Sequence, residues 1–386
     1  MKSILASIAA SSLLAAFTLQ AQPRYTITDL GTLGGTYSYA YGLNNAGAVA
    51  GGSATQSQTG GLYQTGFLWY GGHMIDLGTL GGHACPTCNS EAGGPNASGE
   101  SALISETSKT DPNGEDFCGF GTHRQCLAAV WKNGALTALP PLTGGHNSQA
   151  YWVNEQGQVV GFAETGTPDS TCAVPFQALR FEAAMWDANG TIHELQPLQG
   201  DTVGFAFGIN DFGQAVGVSG LCSNTTLPPV GPAGPHAVLW ERDGSPTDLG
   251  SLPGSVGNNV AGSINNRGDV AGTSALSDGT VHAYLWTKQT GMQDLGMLPG
   301  DFVTVPPCCH TINDKRQVAG FSCPGPQGAC RAFFWQDQVL TDLNTLIPSG
   351  SPWYLQAALS INDAGEIVGY GLINGNIHGF LATPRQ

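Results

Sequence analysis

Short apolar runs alternate along this chain with polar turns rich in asparagine and glycine, and the alternation recurs seven times. Each copy reads, loosely, Ile-Asn-x-x-Gly-x-Val-x-Gly, then His-Ala-x-Leu-Trp, then Asp-Leu-Gly-x-Leu-x-Gly. The anchor asparagines are Asn44, Asn96, Asn154, Asn210, Asn265, Asn313 and Asn362, spaced 52, 58, 56, 55, 48 and 49 residues apart. A period of that size, built from short runs punctuated by glycine, predicts an all-β propeller with one four-stranded sheet per repeat.

The runs of one repeat are designated A to D. Strand A ends at Ile-Asn, B is the Val-x-Gly run, C ends in tryptophan, and D leads into Asp-Leu-Gly. The first repeated piece, Tyr25 to Gly31, is a D strand with no A, B or C before it. The last pieces, around Ile361, Val368 and Phe380, are A, B and C with no D after them. These fragments add up to one blade, so the pattern predicts a seven-bladed ring sealed by pairing the N-terminal strand D with the C-terminal strand C. An open array would call for capping repeats at its ends instead. The blades so delimited are 32–80, 81–141, 142–197, 198–251, 252–298, 299–345, and 346–386 together with 24–31, forming a single domain over 22–386.

Each repeated residue has a structural reading. Asn-x-x-Gly is a tight A–B hairpin, with asparagine bonding the backbone two residues on and glycine taking positive φ. The glycines are Gly47, Gly99, Gly157, Gly213, Gly268 and Gly365, and Arg316 fills the slot in repeat six, predicting a strained or differently built turn. Calcium would need more carboxylates per turn than these supply. Trp69, Trp131, Trp186, Trp240, Trp286 and Trp335 end C strands and are expected to pack between sheets, each N–H with a partner. His236, His282 and His378 open C strands and are expected to bond backbone or neighbouring loops. The second glycine of strand B (Gly51, Gly161, Gly217, Gly272, Gly320, Gly369) points to close approach where blades converge, with Leu103 there in repeat two.

Charge narrows the partners. Thirteen lysines and arginines against 28 aspartates and glutamates give a net charge of −15. Nucleic acid and anionic membranes require clustered positive charge and are disfavoured. Residues 1–21 have the form of a secretory signal: Lys2, an apolar core from Ile4 to Leu19, and Leu19-Gln20-Ala21 as cleavage site. A secreted or periplasmic, monomeric protein without membrane insertion is expected.

Length variation concentrates in the B–C and D–A connections, at His83 to Ala92, Glu106 to Cys126, Glu164 to Glu182 and Leu221 to Pro235. One face is therefore plain and the other elaborated, and elaborated loops on a rigid scaffold are where binding resides. All ten cysteines are assigned to the elaborated face: Cys85, Cys88, Cys118 and Cys126 in repeat two, Cys172 and Cys222 in repeats three and four, Cys308, Cys309, Cys323 and Cys330 in repeat six. In an exported protein this grouping reads as disulfides. Expected pairings tie Cys85/Cys88 to Cys118/Cys126, Cys308/Cys309 to Cys323/Cys330, and Cys172 to Cys222, the order within each foursome being open. The rival, a zinc site with His83 or His310 close by, is disfavoured by compartment. Asp111, Glu115, Asp116 and Glu164 lie in long loops and read as solvated acids rather than an acid–base pair. No catalytic motif is found, and no cofactor is expected.

The Asp-Leu-Gly-Thr-Leu-Gly-Gly at 29–35 and 76–82, the Ile-Asn-x-x-Gly-x-Val-x-Gly, and His-Ala-Val-Leu-Trp and His-Ala-Tyr-Leu-Trp at 236–240 and 282–286 resemble the HAF family of bacterial extracellular repeats. The resemblance spans residues 22–386, most weakly in repeats two and six. It implies an exported bacterial repeat protein and carries over no functional residues. The leading expectation is a binding scaffold for a polysaccharide, peptide or extracellular protein through the loop-rich face. A polysaccharide hydrolase or lyase and a structural cell-surface component are the alternatives.

Overall fold

A computed structural model of the protein describes residues 25–55, 63–172, 177–225, 234–325 and 328–385, so the expected signal at 1–21 lies outside the described residues. The fold is all-β and propeller-like. Five antiparallel sheets have four strands, and a sixth of eight strands joins two such units through a single parallel bridge, Val281 to Val303. Repeat four shows the plan: Val203–Ile209, Ala215–Gly220, His236–Trp240 and Pro246–Asp248, each antiparallel to the next. Strands A and B are buried at every position there, whereas strand D is largely exposed. The sequence follows that gradient, because inner strands covered on both faces need continuous apolar runs. No helix of the described residues is long and apolar enough to cross a membrane.

The first and last pieces of the pattern meet. Tyr25–Asp29 pairs antiparallel with Asn376–Pro384, from Tyr25 opposite Pro384 to Asp29 opposite Phe380. Tyr25 is 1% exposed, in a cluster with Phe334, Trp353 and Phe380.

The anchor asparagines do more than shape turns. Asn210 Oδ1 accepts from the backbone N–H of Phe212 and Gln214, both at 3.0 Å, and its Nδ2 donates to the Asn265 carbonyl of the next repeat at 3.1 Å. The same donation runs from Asn44 to Asn96, to Asn154, to Asn210, to Asn265, to Asn313, to Asn362, and from Asn362 back to Asn44. The residue after the asparagine adds a parallel set of links: the Glu155, Asp211, Asn266 and Asp314 N–H groups each bond the corresponding side chain one repeat on. These turn acids are thus acceptors for neighbouring backbone.

Replacing Asn210 with aspartate keeps both turn acceptors but aims a charge at the Asn265 carbonyl. Urea unfolding at neutral pH should show a loss of about 2–4 kcal/mol. Equal stability of variant and parent at pH 7 would refute the link.

Several expectations need correction. The strand-B glycines answer to close approach within one repeat. A Cβ on Gly51, Gly161, Gly217, Gly272 or Gly369 would lie 1.8–1.9 Å from a strand-A carbonyl of the same sheet. Strand A of these repeats bulges here, with register shifts at Ala40/Gly42, Ala150/Trp152, Ala206/Gly208, Ala261/Ser263 and Ala358/Ser360. The C-strand histidines bond side chains rather than backbone: His236 to Asp248, His282 to Asp294 and His378 to Asp29, each the aspartate of Asp-Leu-Gly. The other carboxylate oxygen of Asp248 and of Asp294 caps the glycine N–H two residues on.

The Arg316 turn has the same backbone bond as the others, Arg316 N to Asn313 O at 3.0 Å. Arg316 takes φ 60°, uncommon for a residue with a Cβ, while its guanidinium grips Asp269. Trp186 and Trp240 are fully buried and donate to the Pro140 and Gln196 carbonyls of the preceding repeat. Trp69 and Trp335 are also buried, and Trp131 and Trp286 half-buried.

Candidate functional site: an aromatic cavity on the propeller axis

Residues from all seven repeats line one cavity, and a second cavity shares Trp152 with it. The smaller, about 80 Å³, is polar and lined by the anchor asparagines and their neighbours, including Asp211, Asp314 and Asp363. The larger, about 370 Å³, is lined by residues nearer the start of the A strands, on the side of the B–C and D–A connections.

Trp152 borders both cavities, stacked on His310 with ring centres 5.0 Å apart. Its ring passes over bare backbone: a Cβ on Gly94 would lie 1.9 Å from it. Burial depresses the His310 pKa, favouring a neutral imidazole against the indole.

The wall of the larger cavity begins with one strand. Along Gly34–Leu43 the tyrosines Tyr37, Tyr39 and Tyr41 recur at the two-residue strand period, and Tyr39 and Tyr41 line the cavity. Tyr39 lies 5.6 Å from Tyr37, stacks on Tyr41 at 6.3 Å, and meets the edge of Tyr370 at 4.9 Å. Tyr151 contributes from repeat three. The one carboxylate in this lining is Glu91, at the start of repeat two's strand A. Gln64 Nε2 and the Tyr41 hydroxyl donate to it, and Tyr37 OH holds the Gln64 carbonyl at 3.1 Å. Burial pushes the Glu91 pKa up, and these two donors pull it back.

Cys308 and Cys309 line this cavity. They follow the short strand Val303–Val305, and Cys309 bridges Ser263 of the adjoining A strand. The disulfides differ from the expected cross-ties: Cys85–Cys88, Cys118–Cys126, Cys308–Cys309 and Cys323–Cys330 join near neighbours, and Cys172–Cys222 links adjacent repeats. The foursomes fail as units because each connection closes on itself before it reaches the other. No free cysteine and no metal-holding group of His, Cys, Asp and Glu occurs among the described residues.

The loop acids are not solvated either. Asp111, Glu115 and Glu164 are 4%, 1% and 0% exposed and converge on Asn147. Glu164 also accepts the His146 and Asn147 N–H groups, and Glu115 those of Ala178 and Leu179. Burial, then the neighbouring Glu115, drives the Glu164 pKa upward. Asp116 stands apart and caps Gly121. These acids stitch the long loops of repeats two and three to the sheets, which a buried carboxyl does well when backbone N–H groups surround it.

The tyrosine wall was absent from the expected site residues, although a signal existed. The position three before each anchor holds Tyr41, Gly93, Tyr151, Phe207, Gly262, His310 and Leu359. It varies while the anchors repeat, and four of these residues line the cavity.

No family model matches the chain, and no curated protein matches it. Among solved structures, a puromycin hydrolase aligns with TM-score 0.58 at 13% identity, over 92% of this chain and 54% of that one. A Mycobacterium tuberculosis puromycin-hydrolyzing peptidase aligns with TM-score 0.54 at 13% identity, over 90% and 52%. The β-propeller domain of the trilobed protease from Pyrococcus furiosus, described as having an open velcro topology, aligns with TM-score 0.51 at 11% identity, over 91% and 95%. The chain thus spans about half the length of the two puromycin-cleaving proteins. At such identities the likeness is one of fold.

Proposed function

We propose that the chain is a closed seven-bladed propeller that serves as an exported binding scaffold, taking its ligand at the loop-rich end of the central channel. The observation that carries this reading is the tyrosine-lined cavity of about 370 Å³, a volume typical of small-ligand sites. Closure draws support from the pairing of Tyr25–Asp29 with Asn376–Pro384 and from the return of the asparagine links from Asn362 to Asn44. Export draws support from five disulfides, which persist in oxidising compartments. Membership of the HAF repeats is proposed on the sequence motif.

The wall is aromatic and apolar around a single carboxylate, an arrangement suited to holding a ligand. The test is a glycan and peptide array probed with the disulfide-bonded protein. Tyr39→Ala should weaken any hit about tenfold, the loss expected for an aromatic anchor. Lys288→Ala, an exposed change in a C–D turn, should leave it intact. Silence on both arrays, or hits that ignore Tyr39, would overturn the channel reading. Turnover of a hit would replace the scaffold with a hydrolase or lyase.

A further inference from the structure

We infer that the axial cavity recognises an organic cation, an alkylammonium or guanidinium group held over the tyrosine faces with Glu91 as counter-charge. This rests on the reading of the cavity as a binding site and names the ligand's chemistry.

The other buried carboxylates of this chain are compensated by charge or by backbone donors. Glu100, Glu182, Asp269 and Asp301 ion-pair with Lys132, Arg180, Arg316 and Arg331. Glu106 and Glu164 accept backbone N–H groups. Glu91 has neither: among the described residues its donors are one amide and one phenol. A carboxylate in apolar surroundings with two neutral donors is under-compensated when ionised. Beyond these two donors, the described residues around it are those of the cavity with its aromatic rings.

Those rings supply the other half of a cation site. An aromatic face carries negative potential, and alkylammonium and guanidinium groups are held by such faces most strongly where water is excluded. Tyr39, stacked on Tyr41 and edge-on to Tyr370, is fixed by its neighbours and needs little ordering on binding. The net charge of −15 draws cations toward the molecule as a whole. A neutral ring, such as a sugar, would gain from the tyrosines but leave the Glu91 charge unmatched.

Protonation supplies a signature. Burial lifts the Glu91 carboxyl above its ordinary range, and a bound cation favours the ionised form. Affinity should therefore increase as pH rises through the carboxyl range. The titratable groups facing Glu91 are Tyr37, Tyr39, Tyr41 and Tyr151, with Tyr370 behind Tyr39. All five hydroxyls are held above their ordinary range by burial and stay protonated throughout that titration. Gln64 is uncharged.

The experiment is calorimetric titration of the disulfide-bonded protein with choline, with L-argininamide, and with 3,3-dimethylbutan-1-ol, the neutral isostere of choline. At least one cation should bind, and choline about tenfold tighter than its isostere if the charge is read. Glu91→Gln, with its melting temperature measured alongside, should weaken cation binding about tenfold and flatten its pH dependence. Choline and its isostere binding alike, or full cation affinity in Glu91→Gln, would overturn the inference. If Glu91→Gln fails to fold, the isostere comparison and the pH profile of the parent decide alone. Failure of both cations alongside a neutral, Tyr39-dependent array hit would sink the cation while leaving the channel reading standing. Failure of both cations with array hits that ignore Tyr39 would remove both.

Discussion

Deleting residues 25–31 should lower the melting temperature by about 5–10 °C and make the protein aggregate. The strand removed carries Tyr25 and Leu30, 1% and 5% exposed, whose burial is worth about 2–3 kcal/mol each. It also carries five ladder partners and the Gly31 carbonyl that accepts from Ser38 Oγ at 2.6 Å. Its loss bares the edge of Asn376–Pro384, a row of unpaired N–H and C=O groups next to Phe380 and Leu381. Calorimetry and light scattering read both effects. A synthetic peptide of residues 25–31 should restore part of the lost stability by re-pairing with that edge. A truncated protein that melts with the intact one and scatters no more light would refute the seal.

The second large effect is expected at Gly217. Its alanine variant would place Cβ 1.8 Å from the Phe205 carbonyl oxygen and 2.8 Å from the carbonyl carbon. Neither neighbour is a flexible side-chain end, and Ala215–Gly220 is buried between two paired strands. The bulge at Ala206/Gly208 would have to reopen, at a cost of about 3–5 kcal/mol. Gly250 is the control. It sits at φ 79° with nothing within 4 Å of an added Cβ, so Gly250→Ala meets only backbone strain, about 1 kcal/mol. Urea unfolding separates the two. A Gly217→Ala cost no larger than that of Gly250→Ala would show that the strand-A bulge tolerates a methyl group and would remove the explanation for glycine at this position.

Much of the candidate site escaped the sequence for one reason. Tyr39 and Tyr41 look like any strand with aromatic alternation, and only the convergence of A strands brings them into a wall shared with Glu91 and Tyr370. Asp111, Glu115 and Glu164 look like loop acids, and only the fold brings them to Asn147 across 36, 32 and 17 residues. The Cys308–Cys309 pair reads as part of a connection until repeat six breaks its A strand beside the channel.

The sequence by itself determined the features whose causes are local. The Asn-x-x-Gly turn closes through bonds from Asn210 Oδ1 to residues two and four ahead, so its signature is complete within one short window. The strand runs, their glycine punctuation and the offset between first and last pieces are likewise written in order along the chain. Tertiary structure decided whatever depends on a partner in another sheet: the Asn210 donation across 55 residues, the carbonyl that excludes a side chain from Gly217, and the rings around Glu91. A turn needs only its own few residues to satisfy its backbone, whereas a buried donor, a bulge or a carboxylate is satisfied or excluded by atoms that stacking of the sheets delivers.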